Sequence, residues 1–193
     1  MLKILGILSG LLMISTVIPY IKDIFLLKTK PERASWFIWS LLNFIAFFSQ
    51  LAKGASYSLM LTAGDAVVVL TVFILSIKYG VGGLTKRDII ALIGVVLCLI
   101  LWYFTGEAAL ALVLVIIIDL IGAILTIIKS YEDPHSETLI TWTLAGVAGF
   151  LGVLAVGQLN PILLAYPLYI CIINSMTALA VVIGRNRLNR MAK

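Results

Sequence analysis

Forty-seven consecutive residues, 138–184, carry no charged side chain. A helix needs about 20 apolar residues to cross the hydrocarbon core of a bilayer, so this stretch is too long for one crossing and suits two. Gly157-Gln158-Leu159-Asn160-Pro161 supplies the turn between them, because glycine, asparagine and proline punctuate helices. Spans are therefore predicted at 138–157 and 161–184.

Charges punctuate the rest of the chain in the same way. Eighteen uncharged residues separate Lys3 from Lys22, 19 separate Arg33 from Lys53, and 18 separate Asp88 from Glu107. Two further stretches, Lys53 to Lys78 and Glu107 to Lys129, hold a single charge each, Asp65 and Asp119. These give spans at 4–27, 35–53, 57–78, 88–105 and 107–128, for a total of seven. Only 12% of the residues are charged and 62% are hydrophobic, against about a quarter charged in an ordinary soluble domain. A soluble chain of this length could not hide so much apolar surface. Spanning segments must pair their backbone groups internally, and the continuous apolar runs lack the alternation of a barrel strand. The fold class expected is all-α integral membrane. The first apolar stretch is expected to be retained, since nothing after residue 30 reads as a soluble mature chain.

Of the 14 basic residues, 12 fall on one side of this topology: Lys22, Lys28, Lys30, Arg33, Lys78, Lys86, Arg87, Lys129, Arg185, Arg187, Arg190 and Lys193. Lys3 and Lys53 fall on the other. The basic side is expected to be cytoplasmic, with the N-terminus outside, in a bacterial inner membrane. The net charge of +5 then reflects topology and anionic lipid, and no nucleic-acid partner is expected.

An offset of 103 residues aligns Pro31 with Pro134, Ser35 with Thr138, Trp39 with Trp142, Phe47 with Phe150 and Gly64 with Pro167. Two three-helix bundles, 1–80 and 107–193, are thereby predicted, joined by a linker in 81–106. This three-one-three layout makes the repeats parallel, and transporters so built hold substrate near the midplane between their halves.

The string Pro19-Tyr20-Ile21-Lys22-Asp23, followed by Lys28-Thr29-Lys30-Pro31-Glu32-Arg33-Ala34-Ser35, resembles the PQ-loop superfamily, which includes the SWEET and SemiSWEET sugar transporters. The glutamine of that motif is Tyr20 here, and the second half offers Gly122 or Leu125 where the proline would stand. The loops Lys28 to Trp36 and Lys129 to Glu137 also resemble those of a group of small bacterial membrane proteins without a known activity. The resemblance implies a facilitator of small polar, sugar-like solutes. A nicotinamide-riboside-type vitamin-precursor transporter shares the seven-helix layout, and a scaffold or receptor module is the reading from another class.

Asp65 and Asp119 are costly in lipid, about 2.5–3.5 kcal/mol each on insertion scales, so they are expected to face a bundle interior or a wet cavity. Either they bind solute or carry protons, or they simply hold helices together. Asp65 follows Gly64, where SWEET-like third helices carry a substrate-contacting asparagine, and the resemblance favours it for that reason. Asn174 and Asn43 are candidate ligands or interhelical glue, as is Gln50. Trp39 and Trp142 are either interfacial belt residues or stacking platforms, whereas Trp36 and Trp102 read as belt. Pro19 is expected to kink the first helix and is a candidate hinge. No cofactor or metal is expected: His135 stands alone, no phosphate-binding glycine pattern occurs, and Cys98 and Cys171 lie in apolar segments unsuited to redox chemistry. The chain does not read as an enzyme. Small-molecule solute and membrane lipid are the expected partners, and nothing in the sequence excludes a homo-oligomer.

Overall fold

The computed structural model describes residues 1–27, 31, 33–81, 85–135 and 137–191, without the side chains of Arg87, Asp88 and Leu125. Lys28, Thr29, Lys30, Glu32 and Lys193, used above in the loop motif and the charge count, lie outside the described residues, as does the side chain of Arg87. Eight helices are found among the described residues: α1 (Leu2–Ser15), α2 (Val17–Phe25), α3 (Arg33–Ala52), α4 (Leu59–Tyr79), α5 (Lys86–Thr105), α6 (Ala108–Glu132), α7 (Leu139–Val156) and α8 (Pro161–Met191). Among the described residues no strand occurs, and one bridge forms where Val81 pairs with Pro31 and Arg33.

Among the described residues six stretches are long and apolar enough to cross a membrane, with α1 and α2 together forming the first, Leu2–Phe25. The apolar part of α5, Ile89–Thr105, is shorter, although α5 in full has 20 residues and would extend about 30 Å at 1.5 Å per residue. The distribution of polarity agrees with a lipid setting. Ser9, Asn43, Ser49, Gln50, Thr62 and Ser76 are buried, while Ile90, Leu97, Tyr103, Phe104 and Leu179 are exposed. A water-soluble protein does the reverse.

Local chemistry explains the helix ends. Pro19 has no N–H to offer the carbonyl four residues back and its ring crowds that turn, and the first span divides at Thr16. Thr16 itself bonds Met13 O through both its N–H and its hydroxyl. At the predicted 157–161 turn, Gly157 adopts φ +71°, the left-handed end favoured by glycine. Asn160 Oδ1 then accepts the N–H groups of Ile162 and Leu163 at 3.0 and 3.3 Å, with Pro161 as the first residue of α8.

Helix α8 continues seven residues past the predicted end at 184. The first charge marks the edge of the apolar zone, and the helix runs on because its arginines find acceptors. Arg185 donates to Pro134 O and Glu137 O, and Arg187 to Tyr131 O and Glu132 O. Arg33 does the corresponding task in the first half, donating to Ser76 O and Ile77 O at the end of α4.

The helices form a closed ring of neighbours. Helix α4 packs against α1 and α3, α8 packs against α6 and α7, and the contacts α1–α7 and α3–α6 close the circle, with α5 outside against α6 and α3. Gly10 and Gly64 bring two backbones together: a Cβ on Gly64 would lie 2.6 Å from Gly10 O, and one on Gly10 would lie 2.6 Å from Met60 O. Small residues at helix crossings are how membrane helices approach closely. Between α7 and α8, Gly149 has the same role, facing the backbone N of Cys171.

Candidate functional site

A cavity of about 490 Å³ occupies the centre of the ring, within the range typical of small-molecule sites. Every ring helix contributes to its wall, α5 does not, and the lining runs from Asp65 and Tyr166 to Lys129 and Glu137 beside the basic loops. At that end the space opens outward, since the Lys129 side chain is 58% exposed.

The opposite end is packed. Gln50 is fully buried and donates to Thr62 Oγ1 at 2.8 Å and Ala46 O at 3.2 Å. Ser9 donates to Ala148 O at 2.6 Å across the α1–α7 contact, and Leu61 fills the space left by Gly152. Gln50, one of the polar candidates from the sequence, thus ties helices together outside the cavity lining.

The structure brings the other candidates into one place. Asp65, Asp119, Asn43, Asn174, Trp39 and Trp142 all line the cavity. Pro19 does not, and its effect is the break one turn earlier, at Thr16, whose residue does line it. Asn174 spends one amide hydrogen on Ile170 O at 2.8 Å, and Asn43 donates to Trp39 O at 3.3 Å.

Two hydrogen-bonded groups form around the acids. Tyr166 Oη lies 3.1 Å from Asn43 Oδ1 and 3.3 Å from Asp65 Oδ2. Asp119 accepts from Tyr169 and from the indole of Trp39. Tyr166 and Tyr169 are three residues apart and so share a helix face, with ring centroids 6.3 Å apart. One face of α8 therefore serves both carboxyls.

The tryptophans aligned by the 103-residue offset behave alike. Trp39 donates to Asp119, and Trp142 donates to Glu137 Oε2 at 3.1 Å. Glu137 also pairs with Lys129 at 3.0 Å, at the mouth. Trp36, read above as a belt residue, lines the cavity and contacts Tyr20 and Trp39 with centroids 5.2 and 5.1 Å away. The cause is helical spacing, since three residues return a side chain to the face that Trp39 uses. Trp102 packs partly buried against the main core cluster.

Sequence reasoning missed Tyr166 and Tyr169 altogether. A signal existed, namely two phenols at helical spacing around Pro167 in an otherwise apolar span. Thr141 was also missed, and its buried hydroxyl has no hydrogen-bond partner although the residue lines the cavity. Among the described residues no group of three or more His, Cys, Asp or Glu side chains is arranged to hold a metal ion. Comparison with known proteins finds no family that matches the chain, and no curated protein or solved structure that matches it.

Proposed function

We propose that the chain is a small polar-solute transporter or facilitator of the PQ-loop, SWEET-like kind, working by alternating access between two parallel three-helix units joined by α5. The single observation that carries the reading is the central cavity, walled by all the ring helices, with acids, amides and aromatic rings set among apolar side chains, open at one end and packed shut at the other. A scaffold would gain nothing from such a space, because an interior of this size filled with side chains would be more stable.

The contacts support the division into units. Helix α4 joins α1 and α3 as α8 joins α6 and α7, so the third helix is central in each half. Residues aligned by the offset of 103 have matching surroundings: Ser35 and Thr138 line the cavity, as do Trp39 and Trp142, and Pro31 and Pro134 are fully buried. Seven crossings, counting α5, leave the basic loops on the side to which the cavity opens. With those loops cytoplasmic, the conformation is inward-facing, and Asp65, Asn174, Trp39 and Trp142 form the solute site with Asp119 and Asn43 in support.

Uptake into proteoliposomes is the test. A panel of sugars, amino acids and small metabolites is expected to include at least one solute that enters with the wild-type protein and enters about tenfold more slowly with Asp65→Asn. If no solute in a broad panel moves, the reading fails.

A further inference from the structure

We infer that the solute is a small organic cation, an amine or quaternary ammonium compound held between Asp65 and Asp119 and the aromatic wall of the cavity. The inference rests on the transporter reading and names its substrate class.

Charge balance comes first. Among the described residues the lining holds three carboxyl groups, Asp65, Asp119 and Glu137, and a single cation, Lys129. Lys129 is committed to Glu137 at 3.0 Å, which leaves the two deeper acids without a basic partner. Their hydrogen-bond partners are the neutral groups of Tyr166, Tyr169 and Trp39. Both acids line one cavity and lie within Coulombic reach of each other. In surroundings of low dielectric, two like charges repel far more strongly than in water, so a positive guest gains on both.

The walls point the same way. Tyr20, Trp36, Trp39, Trp142 and Tyr166 line the cavity, and the faces of such rings attract ammonium groups by about 0.5–2 kcal/mol each. Trp36 stands edge-on to Trp39, at 88°, so the two indoles present faces in different directions around the space. Asn174, whose amide spends one hydrogen on Ile170 O, lines the same cavity and is available to a polar tail. An anionic solute would meet carboxylates with no free base among the described lining residues. A neutral sugar would find hydrogen-bonding groups but would leave the two acids uncompensated.

The test uses the full-length protein in nanodiscs, titrated with choline, putrescine and agmatine beside 3,3-dimethylbutan-1-ol, glucose and acetate, and read by tryptophan fluorescence. At least one cation is expected to bind about tenfold or more tighter than every neutral or anionic probe, with choline exceeding its neutral isostere 3,3-dimethylbutan-1-ol. Asp65→Asn and Asp119→Asn, close in shape to the native residues, should each weaken that binding about tenfold. Where either variant fails to fold, a second measurement reads the same occupancy: choline, putrescine or agmatine should slow alkylation of Thr141→Cys in a Cys98→Ala, Cys171→Ala background. The inference is overturned if no cation binds, if the neutral probes match the cations, or if binding survives in both Asn variants. Two protons in place of a cation would appear as the first of these results. Uptake separates the two proposals: glucose entry without cation preference removes the cation and keeps the transporter, whereas cation binding with no solute uptake does the opposite.

Discussion

Tyr166 on α8 places its phenol oxygen 3.1 Å from Oδ1 of Asn43 on α3, so a single side chain links the two halves of the ring at the closed end of the cavity. Its single proton cannot serve Asn43 and Asp65 fully at once, which couples the three groups. Tyr166→Phe is expected to lower stability by about 1–2 kcal/mol, the scale of hydrogen bonds between membrane helices. In a double-mutant cycle with Asn43→Ala, the two losses should fall short of adding. Denaturant titration of the purified variants measures both, and strict additivity would show that the contact contributes nothing.

The backbone contact at Gly10 and Gly64 tolerates no side chain. Gly10→Leu should abolish accumulation of folded protein, because Met60 O and its helix would have to move. Gly122→Ala is the matched control, since its new methyl would meet only Trp39 Nε1 at 4.0 Å and alanine favours a helix by about 0.5–1 kcal/mol over glycine. Size-exclusion profiles in detergent distinguish the two outcomes.

Accessibility from the basic-loop side should differ along the cavity axis. In a background of Cys98→Ala and Cys171→Ala, a membrane-impermeant thiol reagent is expected to label Thr141→Cys from that side. It should leave Thr62→Cys untouched, because Thr62 is fully buried against Gln50. Labelling of Thr141→Cys in intact cells rather than inverted vesicles would reverse the orientation given to the chain.

Pro19→Ala restores an N–H that can bond the carbonyl of Ser15, and the first span should become continuous through Thr16. The variant is expected to melt at a higher temperature, since a proline inside a helix costs about 3 kcal/mol, and to move solute more slowly. Faster uptake would remove Pro19 as a hinge.

The helices were readable because lipid permits few charges, and the position of each charge delimits a span. Asp65 and Asp119 stood out for the same reason. The rest depended on packing. Nothing in a hydropathy pattern distinguishes Tyr166 from the aromatic residues of a membrane belt, and only its place beside Asp65 across the ring makes it part of the site. The belt reading of Trp36 considers depth in the bilayer alone, whereas its place on the cavity wall depends on which side of the helix it occupies. The end of α8 was set too early because charge reports the limit of the apolar zone, while hydrogen bonding from Arg185 and Arg187 decides how far the helix persists.

The inverted polarity of the molecule also governs how its sequence can drift. Positions such as Ile90, Leu97 and Leu179 meet a solvent that does not discriminate among leucine, isoleucine and valine, so exchange there is nearly free. The serines, amides and acids of the interior each answer to one neighbour and have few substitutes. Distant relatives of this protein would consequently share a sparse set of small and polar positions in a background of interchangeable aliphatics, a pattern that overall percentage identity is poorly suited to detect.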